Sequence, residues 1–151
     1  SMKKLLLLLL AIPVFIFSCK KSETDQPRID REIIRKYIAD SNLVADSTAS
    51  GLFYVISDSG SVKRPNSASY VTVNYKGYFT NGTVFDQTSG TPFSTLLTSV
   101  IAGWTEGIPL IQKGGKIKLL IPSSLGYGNE VYGTIPANSV LIFDIELLDF
   151  I

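Results

Sequence analysis

Val140-Leu141-Ile142-Phe143-Asp144-Ile145-Glu146-Leu147-Leu148 decides the fold class. Leu141, Phe143, Ile145 and Leu147 fall on one face of an extended chain, and Asp144 and Glu146 fall on the other with Ile142 and Leu148. This two-residue period is that of a strand with one face on a core. Working back along the chain, Lys116 to Ile121 reads as a second strand, stopped by Pro122. Tyr70-Val71-Thr72-Val73-Asn74-Tyr75 follows a turn around Pro65-Asn66, and Leu52 to Ile56 runs into Asp58-Ser59-Gly60. Asn81-Gly82, between Tyr78-Phe79 and Val84-Phe85, predicts a hairpin closed by a type I′ turn, whose positive φ angles Asn and Gly tolerate. Among these strands there is room for one short helix, about Gly103 to Gln112, ending near Gly114-Gly115. Pro109 falls inside it; there it removes a backbone donor and kinks the last turn, unless it occupies a first turn. Four or five antiparallel strands around one helix make an α+β domain.

The N-terminal third has a different texture. Lys3 and Lys4 precede an apolar run from Leu5 to Phe17, which ends at Ser18-Cys19. This is the pattern of a secretory leader, and its apolar core is shorter than the ~20 residues of a spanning helix. Ile16-Phe17-Ser18-Cys19 resembles a bacterial lipobox, in which the Cys is acylated and becomes the first mature residue; the alternative is an ordinary signal peptide in which the Cys is incidental. Cys19 is the sole cysteine, so no internal disulfide or thiol pair can form. Lys20 to Gln26 is polar, lacks apolar periodicity and suits a flexible tether. From Pro27 to Asp40, Ile29, Ile33, Ile34, Tyr37 and Ile38 recur at helical spacing, with Asp30, Arg31, Arg35 and Lys36 opposite. The apolar stripe of this amphipathic helix can pack on its own domain or on a second copy. The expected organisation is a signal peptide over 1–18, a lipid-attached tether over 19–26, a helical extension over 27–50 and a globular domain over 51–151.

Composition removes whole classes of chemistry. There is no His and no second Cys, and the carboxylates are not clustered, so triads, thiol nucleophiles, common zinc sites and paired-acid hydrolysis lack their residues. A net charge of +1 without a basic stripe argues against a nucleic-acid partner. What the chain does carry is aromatics: Tyr75, Phe85, Phe93, Trp104, Tyr127 and Phe143, with Asp86 directly after Phe85. Taken singly, each aromatic reads as ordinary core and Asp86 as a turn or strand-end acid.

Their order and spacing say more. The blocks Val71-Thr72-Val73-Asn74-Tyr75-Lys76-Gly77, Asn81-Gly82-Thr83-Val84-Phe85-Asp86, Pro92-Phe93 and Val100-Ile101-Ala102-Gly103-Trp104-Thr105-Glu106-Gly107 come in sequence. Gly115-Lys116, Ile121-Pro122, Gly126-Tyr127-Gly128, Ile135-Pro136 and Leu141 to Leu148 follow. Over about a hundred residues the chain resembles the FKBP-type peptidyl-prolyl cis-trans isomerases, and its extension resembles that of exported bacterial lipoprotein members.

The resemblance implies a strongly twisted antiparallel sheet of four to six strands wrapped over the short helix, with an apolar pocket between them. It assigns catalysis to Tyr75, Phe85, Asp86, Ile101, Trp104, Tyr127 and Phe143, and further substrate contacts to Phe93, Val100 and Ile135. Trp104 would be the floor, the Ile101 N–H a donor to the ligand, the Tyr127 hydroxyl a donor to a substrate carbonyl, and Asp86 the polar edge. No cofactor or metal is implied. The implied partners are proline-containing polypeptides, macrolides such as tacrolimus or rapamycin, and a membrane reached through a lipid on Cys19 in the bacterial cell envelope. A non-catalytic module that grips proline-containing or unfolded segments in the same pocket is the competing reading. The chain departs from the family pattern at Ser94 to Ser99, read here as a reshaped loop, at Pro109, and at Thr134, where an apolar residue is frequent.

Overall fold

A computed structural model describes residues 25–151; the leader, Cys19 and most of the tether lie outside the described residues. Helix α1 (Gln26–Asp40) begins with Pro27 in its first turn, where the missing N–H would have had no intrahelical partner. Seven strands follow in one antiparallel sheet: β1 (Asp46–Ser47), β2 (Phe53–Asp58), β3 (Tyr70–Tyr78), β4 (Val84–Gln87), β5 (Phe93–Leu96), β6 (Lys116–Ile121) and β7 (Leu141–Phe150). Their order is β1-β2-β6-β7-β3-β4, and β5 also pairs with β3. The outer edge of β3 is thus shared, Tyr70–Val73 meeting β5 and Lys76–Tyr78 meeting β4.

The class is the expected α+β, with two strands that the residue pattern did not declare. β1 has only two residues. β5 takes up the start of the segment read as a loop; its Ser94 and Thr95 are polar, but the backbone of β3 needs a partner there and they supply it. The rest of that segment is a 3-10 turn, Leu97–Ser99, with Leu97 fully buried. The Asn81-Gly82 hairpin is present with a different turn. Gly82 has φ +87°, whereas Asn81 is not among the residues of positive φ. The Gly82 N–H donates to Phe79 O at 2.8 Å and the Phe79 N–H to Thr83 O at 2.9 Å, closing a three-residue loop with a bulge. The Asn81 side chain accepts the Thr83 N–H at 2.9 Å, a local bond that negative φ allows.

Helix α2 (Ala102–Gly107) is shorter than the expected Gly103 to Gln112. Pro109 cannot donate and its ring crowds the carbonyl four residues back, so the α-helix gives way to a 3-10 turn, Ile108–Leu110, with Pro109 in its first turn. α2 lies against one sheet face, over a core that includes Leu52, Val71, Val73, Trp104, Ile117, Leu119, Ile121, Leu141, Phe143, Ile145 and Leu147. Two glycines one turn apart set its height. A Cβ on Gly103 would stand 2.6 Å from Ile121 Cδ1, and one on Gly107 would stand 2.6 Å from Leu119 Cδ2. With only hydrogens there, the helix sinks onto β6.

α1 packs on the opposite sheet face. Ile34 joins Leu120 and Val140 in a second small core, flanked by Tyr37, Ile38 and Phe53. Self-packing therefore covers one part of the apolar stripe, while Ile29 and Ile33 remain 37% and 38% exposed. Asp30 departs from the sequence reading: placed there on the solvent face with Arg31 and Arg35, it is fully buried.

Candidate functional site

Between α2 and the sheet opens a cavity of about 640 Å³. It is lined by Tyr75, Phe85, Asp86, Phe93, Val100, Ile101, Trp104, Tyr127, Ile135 and Phe143, the ten positions singled out around the pocket from sequence. They come from β3, β4, β5, α2 and its approach, β7 and the loop between β6 and β7. Cys19 lies outside the described residues. Ser99, Tyr132, Gly133 and Thr134 complete the lining.

The interior is an aromatic box built edge to face. Trp104, 4% exposed, meets Tyr75 with centroids 5.0 Å apart and Phe143 at 5.3 Å, both T-shaped. Phe85 meets Phe143 at 5.5 Å, again edge-on, and is backed by Phe79 at 4.9 Å. Such perpendicular arrangements put the positive ring edge on the negative face of the next ring. Gly77 on β3 makes room for two of these rings: a Cβ there would lie 2.7 Å from both Phe85 Cε2 and Phe143 Cε1. Phe93, 40% exposed, stands at the rim, with its ring 6.5 Å from Trp104.

A few polar groups border this box. The Tyr75 hydroxyl donates to Asp86 Oδ2 at 2.6 Å. Burial first, and then that bond, push the Tyr75 hydroxyl well above its ordinary pKa. Burial, followed by the nearby Tyr132 and Asp86, raises Tyr127. Both phenols therefore stay protonated, and the Tyr127 hydroxyl is available as a donor. Val100 and Ile101 are extended and lead into α2, where the Ile101 carbonyl accepts the Trp104 N–H at 2.9 Å. The Ile101 N–H precedes the helix and donates to no group among the described residues. Trp104 Nε1 is buried without a partner among the described residues.

Tyr132 was not among the sequence-derived site residues. Its ring stacks on Tyr127 with centroids 4.2 Å apart and planes 7° from parallel. Tyr132 and Ile135 exchange backbone hydrogen bonds at 3.0 and 2.8 Å around Gly133, whose φ is +54°. The signal was the Tyr-Gly-Thr-Ile turn, which brings Tyr132 to the same rim as Ile135. Among the described residues no cluster of three His, Cys, Asp or Glu could hold a metal ion. The lining offers apolar surface, donors that include the Ile101 N–H and the Tyr127 hydroxyl, and a carboxylate already bonded to Tyr75, and it lacks a nucleophile paired with a base. It can enclose a compact apolar ring and hydrogen-bond the amide attached to it.

Residues 61–148 match the family described as FKBP-type peptidyl-prolyl cis-trans isomerase. FkpA of Escherichia coli (strain K12) is 42% identical over 132 residues, covering 86% of this chain and 48% of that protein. FkpA of Buchnera aphidicola subsp. Schizaphis graminum is 52% identical over 107 residues, covering 68% and 42%. The chain thus spans somewhat less than half the length of these curated relatives. The crystal structure of FkpA from Escherichia coli superposes with a TM-score of 0.74 at 41% identity, over 83% of this chain and 59% of that one. A peptidyl-prolyl cis-trans isomerase from Pseudomonas syringae pv. tomato gives 0.73 at 31% identity, over 83% and 93%.

Proposed function

This chain belongs to the FKBP-type peptidyl-prolyl cis-trans isomerase family, and on that premise we propose that it catalyses rotation about X–Pro bonds in exported polypeptides, assisting their folding. One observation carries the reading. The ten pocket positions assigned by family resemblance, scattered from residue 75 to residue 143, line a single aromatic cavity.

The chemistry follows from the amide. Resonance holds an X–Pro bond planar behind a barrier of ~18–20 kcal/mol, and unaided isomerisation takes tens to hundreds of seconds. Twisting the bond breaks the resonance and leaves a less charge-separated amide, which an apolar enclosure tolerates better than water does. In this reading the prolyl ring rests on Trp104 between Tyr75, Phe85 and Phe143. The Ile101 N–H and the Tyr127 hydroxyl hold the neighbouring carbonyls, and Asp86 fixes Tyr75. Val100, Ile135 and Phe93 complete the enclosure. No proton is transferred, so the absence of His is no obstacle. If the pocket favours the twisted amide by about 5–8 kcal/mol, the rate rises roughly 10⁴- to 10⁶-fold.

The basic and apolar leader ending at Cys19 supports export and lipid attachment in a bacterial envelope, and the pocket suits macrolides as competing ligands. A protease-coupled assay on X–Pro peptides tests the central claim. Acceleration that rapamycin or tacrolimus suppresses is expected. Binding to proline-containing peptides without acceleration would overturn catalysis and leave a binding module.

A further inference from the structure

We propose that Asp30, on the N-terminal helix, is a positioning residue that fixes Tyr127 through Ser123; its catalytic consequence rests on the isomerase reading above. Asp30 is fully buried, on the helix whose Ile34 packs against the sheet face away from the pocket. Its Oδ2 accepts two hydrogen bonds from Ser123, 93 positions away: one from the backbone N–H at 2.8 Å and one from the hydroxyl at 2.6 Å. Its Oδ1 accepts Gln26 Nε2 at 2.7 Å, so the carboxylate is held from its own helix as well.

Ser123 opens the 3-10 turn Ser123–Leu125 that follows β6, and it is 3% exposed. A first-turn N–H has no partner within its own turn, and a buried one left unpaired is costly. Asp30 supplies the cap from another element. On its other side, the Ser123 carbonyl accepts the Gly126 N–H at 3.0 Å and the Gly128 N–H at 2.8 Å. These two residues flank Tyr127, and the Gly128 carbonyl in turn accepts the Asn138 N–H at 2.8 Å. The residue that receives both Asp30 bonds therefore also clasps the loop that presents the Tyr127 ring and hydroxyl. A carboxylate is suited to this task, because it accepts both Ser123 donors at one oxygen and offers no hydrogen of its own.

The test is a mutant cycle on the full chain, read by the X–Pro assay and by amide hydrogen exchange. Asp30→Ala is expected to lower kcat/KM about three- to tenfold. In a Tyr127→Phe background, the same substitution should cost less than about twofold, because the hydroxyl it misplaces is gone. Exchange at the Gly126 and Gly128 amides should quicken about tenfold relative to that at Gly82, in the turn between β3 and β4. Equal losses in both backgrounds, or a folded Asp30→Ala with unchanged exchange at Gly126 and Gly128, would overturn the proposal. Should Asp30→Ala fail to fold, Asp30→Asn and Ser123→Ala run through the same cycle, and independence from Tyr127 overturns it equally. A wild-type chain without isomerase activity would overturn the function proposed above, and the exchange measurement would still decide whether Asp30 holds the Tyr127 loop.

Discussion

Tyr75 gives its hydroxyl hydrogen to Asp86 across 2.6 Å, so that hydroxyl is already committed and the ring serves as wall. Asp86 itself is exposed and keeps solvent as a second partner. Tyr75→Phe therefore retains the wall and loses one bond near the surface. The expected stability loss is under about 1.5 kcal/mol. Activity should fall modestly, with the Tyr75→Phe and Asp86→Ala effects overlapping rather than multiplying. Steady-state kinetics of both single variants and the double variant checks this.

Phe85→Ala should separate activity from stability better than a change at the floor. Phe85 is half-buried at the cavity wall, whereas Trp104 is 4% exposed within the main core. Trp104→Ala should cost about 3–5 kcal/mol of stability as well as activity. Phe85→Ala should lower kcat/KM on the order of tenfold or more while the fold persists. Unchanged kcat/KM in both variants would remove this cavity as the active site.

Gly103→Ala should harm the protein although the added methyl lies outside the cavity lining. It would meet Ile121 at 2.6 Å, so α2 must lift or Ile121 must move. The cost expected from overpacking is about 1–3 kcal/mol. Because Trp104 is the next residue, KM should rise along with the loss in melting temperature.

Burial raises the Tyr75, Tyr78 and Tyr127 hydroxyls above the ordinary tyrosine value of 10.0. Above that value the unfolded chain releases these protons while the folded chain retains them, so stability falls as pH rises. The contribution is whole below pH 10 and is lost progressively as pH climbs through the raised folded values. Denaturant melts at rising pH should show this decline, made shallower by Tyr75→Phe. The chain has no His, so kcat/KM should be flat between about pH 6 and 9.

Cys19→Ala should release the protein from membranes into the soluble fraction on cell fractionation. Membrane association that survives this change would count against lipid attachment at Cys19.

Legibility followed the physics of each element. β7 was readable because alternate residues face different surroundings, and the ordered family blocks pointed to the pocket residues from β3 to β7. β5 was not, because Ser94 and Thr95 become strand by completing the edge of β3 rather than by their own preference. The length of α2 hung on Pro109, whose effect depends on where the helix starts. The burial of Asp30 is not legible because an acid beside Arg31, Glu32, Arg35 and Lys36 looks like part of a solvent-facing charged face, and its partner Ser123 lies 93 positions downstream. Tyr132 sat in a loop with no periodicity to read, and only its turn with Ile135 brings it against Tyr127.

The last strand of this sheet is also a central one. β7 runs between β3 and β6, and it carries Phe143. While everything through β6 is free to fold but β7 is not, the chain holds two separated sheet fragments and a pocket without one wall. The two halves can join only once β7 is available to pair with both. Until then β3 and β6 both present unpaired edges, open to pairing with another chain.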